Sequence, residues 1–156
     1  MYTYRELQAS DCETIAIFPQ NEDELFFMFP SATYPLTAGQ IVERVKDRLK
    51  ATVVLDQSEV IAFANLYDYN GESCWLGNVI VAPIHRGMGA SKYLVDTMST
   101  IARKELNVRK LKLVCHNTNT RGLLFYTKLG FIPYEISSRQ KPSGEFIAGI
   151  HMEKEL

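Results

Sequence analysis

Cysteine is scarce in this chain: Cys12, Cys74 and Cys115 are an odd number, widely spaced, with no CxxC pair and no histidine at zinc-ligand spacing. That argues against a disulfide framework or a zinc knuckle, so a reducing compartment and no metal are expected. Long apolar runs are missing too, and none approaches the roughly eighteen residues that a membrane span requires. The start, MYTYRELQASD, has no basic stretch leading into an apolar one, so the expectation is a cytoplasmic protein with no membrane partner. An excess of charge is also lacking. Formal net charge is -1, and the one basic cluster, RKLK at 109–112, reads as the solvated start of a strand. Nucleic acid is therefore not an expected partner. Repeats, low-complexity tracts and Ser/Gly linkers are absent, so residues 1–156 are expected to form one domain around a single core.

What is present is a regular alternation of elements. Ser10 and Glu13 have capping-box spacing ahead of Ile15, Ala16 and Phe18, which predicts a short helix from Asp11 that Pro19 ends. Thr37 and Gln40 repeat that spacing before Ile41, Val42, Val45 and Leu49, so a second helix is expected from Ala38 to about Lys50. ATVVLD, EVIAFANLYDY and ESCWLGNVIVA read as a three-stranded antiparallel meander, with Asn70-Gly71 as its second turn. A helix of about four turns then carries Tyr93, Leu94, Met98, Ile101 and Ala102, and LKLVC follows as a buried strand, parallel to its neighbour. Asn119–Leu129 predicts another helix, stopped by Gly130, and FIPYEISSR and FIAGIHMEKEL close the chain as a hairpin. The fold class is mixed α/β, with helices on both faces of a sheet.

Between the third meander strand and the long helix lies HRGMGAS, residues 85–91. Free N–H groups at the first turn of a helix, together with the helix dipole, make such a junction a natural phosphate seat. The dinucleotide fingerprint GxGxxG fails because Lys92 stands where the third glycine belongs; the P-loop fails because no glycine precedes Lys92.

RxxGxG does fit, with Arg86 and Gly89 in register and Ser91 at the last small position. NVIVAPIHRGMGASKYL resembles the pyrophosphate-loop segment of the GNAT N-acetyltransferase superfamily. NTRGLLFYTKLGF, from Asn119 to Phe131, is similar to that family's second signature. This resemblance implies a mostly antiparallel, twisted seven-stranded sheet flanked by helices and splayed between strands 4 and 5. It implies acetyl-CoA as co-substrate, its pyrophosphate on the N–H groups of Arg86, Gly87, Met88, Gly89, Ala90 and Ser91, and its pantetheine arm along Val79, Ile80 and Val81. Asn119 would bond that arm or cap its own helix. Tyr126 would be the general acid for the leaving thiolate, and the N–H of Val81 or Ile80 the oxyanion donor.

The general base stays open. Many members of the family carry a strand glutamate where this chain has Gly77 and Asn78. Glu72 lies at the far start of the strand, His116 at the end of the parallel strand is a candidate, and a water chain is an alternative. His85 is expected to be exposed, and His151 could face either way. NEDELFFMFPSATYPLT, residues 21–37, maps onto the acceptor wall of the family. Phe26, Phe27, Phe29 and Tyr34 line a pocket or belong to the core; Glu22, Asp23 and Glu24 attract a cationic amine or form a solvated helix start. A small-molecule amine is favoured over a protein N-terminus or lysine. Competing readings are an inactive acyl-CoA sensor and a different acyl donor. The resemblance also implies a possible homodimer through the final strands.

Overall fold

The computed structural model describes residues 1–156. The chain runs β1 (Tyr2–Glu6), α1 (Asp11–Ala16), α2 (Glu22–Met28), α3 (Ala38–Val45), β2 (Leu49–Asp56), β3 (Glu59–Tyr67), β4 (Ser73–Val81), α4 (Ala90–Glu105), β5 (Lys110–His116), α5 (Thr120–Lys128), β6 (Ile132–Gln140) and β7 (Phe146–Glu155). Seven strands make one sheet in the order β1-β2-β3-β4-β5-β7-β6. Only the β4–β5 pair is parallel; the other neighbours are antiparallel.

Strand alternation divides the interior into two cores, one on each side of the sheet. Val54, Ala62 and Leu66 face α4, where they pack with Leu94, Met98 and Phe131. Val53, Leu55 and Phe63 face the opposite way, against Cys12, Ile15 and Ile41 of α1 and α3. Phe63 is only 2% exposed, so Phe63→Ala should cost about 3–5 kcal/mol through lost burial and a cavity.

Three expectations about the N-terminal half need correction. Ser10 does not form the capping box: it has helical backbone angles and no side-chain cap. Instead the buried Asp11 carboxylate accepts Gln8 N–H at 2.8 Å and grips Arg5 with both oxygens at 2.7 and 3.0 Å. Three helices, not two, precede β2, because Asn21 accepts Glu24 N–H and starts α2 with three acids in its first turn. Finally, α3 stops at Val45, as Leu49 pairs with Leu66 in the sheet rather than extending the helix face. The ladder of β2 wins over the three-and-four spacing.

Candidate active site

Parallel pairing of β4 with β5 is limited to Ser73–Trp75 against Lys110–Lys112. Beyond that the strands part, and a cavity of about 880 Å³ opens between Leu76–Val81 and Leu113–His116. A bulge in β4 accompanies the divergence, where the register shifts between Phe63/Ile80 and Asn65/Gly77 and Asn78 takes φ 53°. The buried Asn78 amide is satisfied by protein: it accepts from Asn65 Nδ2 at 2.9 Å and donates to Met28 O at 2.7 Å. It thereby ties β4 to β3 and to the end of α2. Farther along, Ala82 N–H donates to Ile61 O at 2.7 Å. Alternation along the strand therefore turns the Val81 N–H away from β3 and toward the gap, while Val81 O accepts Arg86 Nε at 3.0 Å.

The glycine loop closes one end of this cavity. Gly87 and Gly89 have φ 77° and 90°, and a Cβ built on either would meet nothing within 4 Å. Backbone conformation, not lack of space, requires glycine here. Gly89 caps α4, and Tyr2 Oη ties Met88 O to β1 at 2.8 Å. The expected donor set loses its first member: Arg86 N–H turns back to Pro83 O, so the free N–H groups run from Gly87 through Ser91. Arg86 also directs its side chain inward, to Phe18 O at 3.2 Å and Glu24 Oε1 at 2.9 Å. Lys92 and Arg121, which sequence reasoning did not single out, add positive charge at this end of the cavity.

Of the candidate chemical groups, Tyr126 and His116 both line the gap. Tyr126 leans on Phe125 and Phe131, and its hydroxyl makes no bond to protein. Burial, with Cys115 nearby, raises its pKa, so the phenol holds its proton at any ordinary pH. His116 is 3% exposed, stacked on Phe26 at 4.6 Å, and its Nδ1 has no partner. Burial first, and Arg139 second, lower its pKa to about 4, so the ring is neutral and a weak proton acceptor. Asn119 caps α5 through Gly122 N–H at 3.0 Å and also faces the cavity. Burial pushes Cys115, on the same wall, up to about 12. Glu72 is exposed at the start of β4. His85 is half-buried rather than exposed, with a partnerless Nδ1. His151 points toward the β6 side, sharing a hydrogen with Ser137 Oγ at 2.8 Å.

At the opposite end of the cavity, residues 21–37 divide between the two options set out for them: Phe27 takes the pocket side, while Phe26, Phe29 and the three acids take the core and helix-start side. Only Phe27 of the four aromatics lines the cavity. Phe26 and Phe29 are buried, and Tyr34 is exposed and bonds Gln20 O. The acids offer this end little charge: Glu24 is paired with Arg86, Asp23 reaches Lys141 at 3.3 Å, and Glu22 is exposed away from the cavity lining. Arginines line this end instead, namely Arg44, Arg48 and Arg139, together with Tyr67. The Arg48 guanidinium lies 3.9 Å from the Tyr67 ring centroid. A Cβ on Gly77 would come within 2.5 Å of Arg48 Nη1, so glycine in β4 is what admits the guanidinium. A glycine inside a strand pattern does signal a close approach; what approaches cannot be read from the sequence.

A mixed seven-stranded sheet whose parallel pair parts between β4 and β5 is the fold the resemblance implied, and comparisons with known proteins agree with that fold. Among curated protein sequences none matches significantly. Solved structures share the whole fold at low identity. Ard1 from Thermoplasma volcanium has TM-score 0.80 and 19% identity over 99% of this chain and 97% of its own. A candidate phosphinothricin N-acetyltransferase has 0.81 and 20% over 100% and 99%. Spermidine N-acetyltransferase from Vibrio cholerae, in complex with CoA and spermine, has 0.80 and 20% over 99% and 95%. The model of the acetyltransferase (GNAT) family matches residues 12–131, which takes in the glycine loop, Tyr126 and the cavity lining except Arg139. On these grounds the chain belongs to the acetyltransferase (GNAT) family.

Proposed function

We propose that this protein transfers acetyl from acetyl-CoA to the primary amine of a small molecule, by direct attack with both substrates bound. The observation that carries the proposal is the unpaired stretch of β4 lying between a loop of free N–H groups and a partnerless Tyr126 hydroxyl. The site fits the co-substrate on its own terms. The N–H groups from Gly87 to Ser91 suit a pyrophosphate, Val79–Val81 offer open strand edge to a pantetheine amide chain, and Asn119 stands beside that path. Acetyl-CoA supplies an activated thioester.

The protein's part is positional and electrostatic. The Val81 N–H, free on the gap side, is the donor we assign to the carbonyl oxygen as it gains charge, in preference to Ile80. Tyr126 holds its proton and gives it to the departing sulfur. An amide bond forms, the C–S bond breaks, and the amine proton leaves through the open cavity to solvent, with His116 as an apolar-faced wall rather than the base. A homodimer would form on the exposed apolar residues of the final strands, Ile132, Ile136 and Phe146; sedimentation as a monomer at micromolar concentration would remove that part.

The deciding experiment is thiol release from acetyl-CoA across a panel of amines, with wild type beside Tyr126→Phe. Amine-dependent release, reduced in the variant, is the expected result. Acetyl-CoA binding without release on any amine would make the protein an acyl-CoA sensor instead, the reading that the absent strand carboxylate at Gly77 and Asn78 favours.

A further inference from the structure

Three arginines line the cavity away from the glycine loop, and no carboxylate forms an ion pair with any of them. Arg44, on the last turn of α3, donates to Ser31 Oγ at 2.6 Å and lies over the Phe29 ring, yet its buried Nε has no partner. Arg48 stacks on Tyr67 and reaches Asn65 Oδ1 at 3.5 Å, both neutral partners. Arg139, on β6, bonds nothing but the adjacent Ser138 O. None of the three forms an ion pair, whereas Arg5 and Arg86 elsewhere each pair with an acid. Burial first, and the charge of Arg44 second, lower the pKa of Arg48; Tyr67 and then Asp68 favour the charged form, but Asp68 does not pair with it. Desolvating like charges side by side is costly, and a protein retains such an arrangement where a ligand completes it.

Arginine's planar fork matches a carboxylate or a phosphonate, each taken by two parallel hydrogen bonds. The phosphates of CoA are poor candidates for this role. Gly77, beside Arg48, lies about 13 Å before Val81 at the rise of a strand, and the glycine loop lies farther along in the same direction. The three arginines are therefore on the amine side of the gap. A polycation would meet the same three charges as repulsion.

Resting on the acetyltransferase reading, we propose that the acceptor is an amine that also carries an oxyanion, an amino acid or aminophosphonate, and that Arg48, with Arg44 and Arg139, binds that anion. Gly77 is part of the device, since its missing side chain lets the Arg48 fork lie across β4.

The test compares kcat/KM for the protein amino acids, their carboxamides, 2-aminoethylphosphonate and spermidine, at fixed ionic strength. An acid should exceed its own carboxamide by about tenfold or more, the worth of a charge-assisted bidentate contact. Arg48→Gln should abolish that ratio by raising KM for the acid while leaving the carboxamide unchanged, and Arg139→Gln should reduce it. Arg103→Gln, on the exposed end of α4, should keep it. Spermidine or the carboxamides matching the acids, or an unchanged ratio in a folded Arg48→Gln, would overturn the proposal; should that variant not fold, Arg139→Gln decides. If no amine releases thiol, calorimetric titration of the CoA-loaded protein with the same acids separates the two ideas. Acid binding lost in Arg139→Gln would keep the anion seat and reject turnover; no acid binding would reject the seat.

Discussion

The two ends of the cavity present positive charge by different means. At the α4 end the donors are backbone N–H groups, presented by Gly87 and Gly89 within one short stretch of chain. At the α3 end the donors are side chains from residues 44, 48 and 139, brought together by α3, the turn after it, and a strand near the other terminus. A backbone site tolerates change in side chains but not in conformation. A side-chain site tolerates drift in the backbone but depends on each guanidinium and on the space left for it. The first is written in local sequence; the second exists only once the sheet has formed.

The sharpest way to break the comparison is at the loop. Gly89→Asp puts a carboxylate and a side chain on a φ of 90°, where phosphate would approach, and acetyl-CoA affinity should fall by about a hundredfold or more in calorimetric titration. Unchanged affinity would remove the loop from the account. Between the two ends, Tyr126→Phe should lower kcat by about a hundredfold with acetyl-CoA affinity nearly intact, as for a group that acts in the transition state. A loss confined to KM would make Tyr126 a wall. Because burial raises the Tyr126 pKa, the wild-type rate should show no alkaline decline up to about pH 10, the ordinary value for a phenol.

At the arginine end, Gly77→Glu tests the comparison by reversal. The new side chain takes the space of the Arg48 fork, sets a carboxylate beside it and should lower kcat/KM for an acidic amine by about tenfold while sparing its carboxamide; equal losses for both would mean simple obstruction.

The smallest effect is expected at His116. His116→Gln should change kcat by only a few-fold, since a ring with a pKa of about 4 is a poor base; a loss of a hundredfold would restore the base role. Its signature belongs in stability. The folded pKa lies below that of the unfolded chain, so the unfolded state binds the extra proton between about pH 6.5 and pH 4. Stability is full above that window and is lost as pH falls through it, by roughly 3 kcal/mol. Acid unfolding followed by circular dichroism should show a shallower decline in His116→Gln over that range. The Asp11–Arg5 pair, whose carboxyl is held below its usual value by the guanidinium, contributes a separate loss at still lower pH.

Much of the fold was legible because its signals are local. Asn70-Gly71, the apolar period of α4, Asn119 as a cap and Gly130 at φ 95° each act within a few residues. Where local signals misled, a distant partner decided. Leu49 continued a helical spacing but joined β2, and Ser10 had the spacing of a cap that Asp11, held by Arg5, made unnecessary. The acids of residues 22–24 were correctly visible as a helix start, yet nothing in the sequence pairs Glu24 with Arg86 or Asp23 with Lys141.

By itself the sequence determined the order of elements from β2 onward, the glycine loop and the placement of Tyr126 on the helix after Asn119, because backbone preference and side-chain period are properties of neighbouring residues. Only the tertiary structure decided that β4 and β5 part after Trp75, that Val81 N–H faces the opening, and that Gly77 makes room for an arginine from the end of α3. The sign of charge at the acceptor end follows from which side chains a fold gathers, and acids and bases far apart in sequence carry no mark of that meeting.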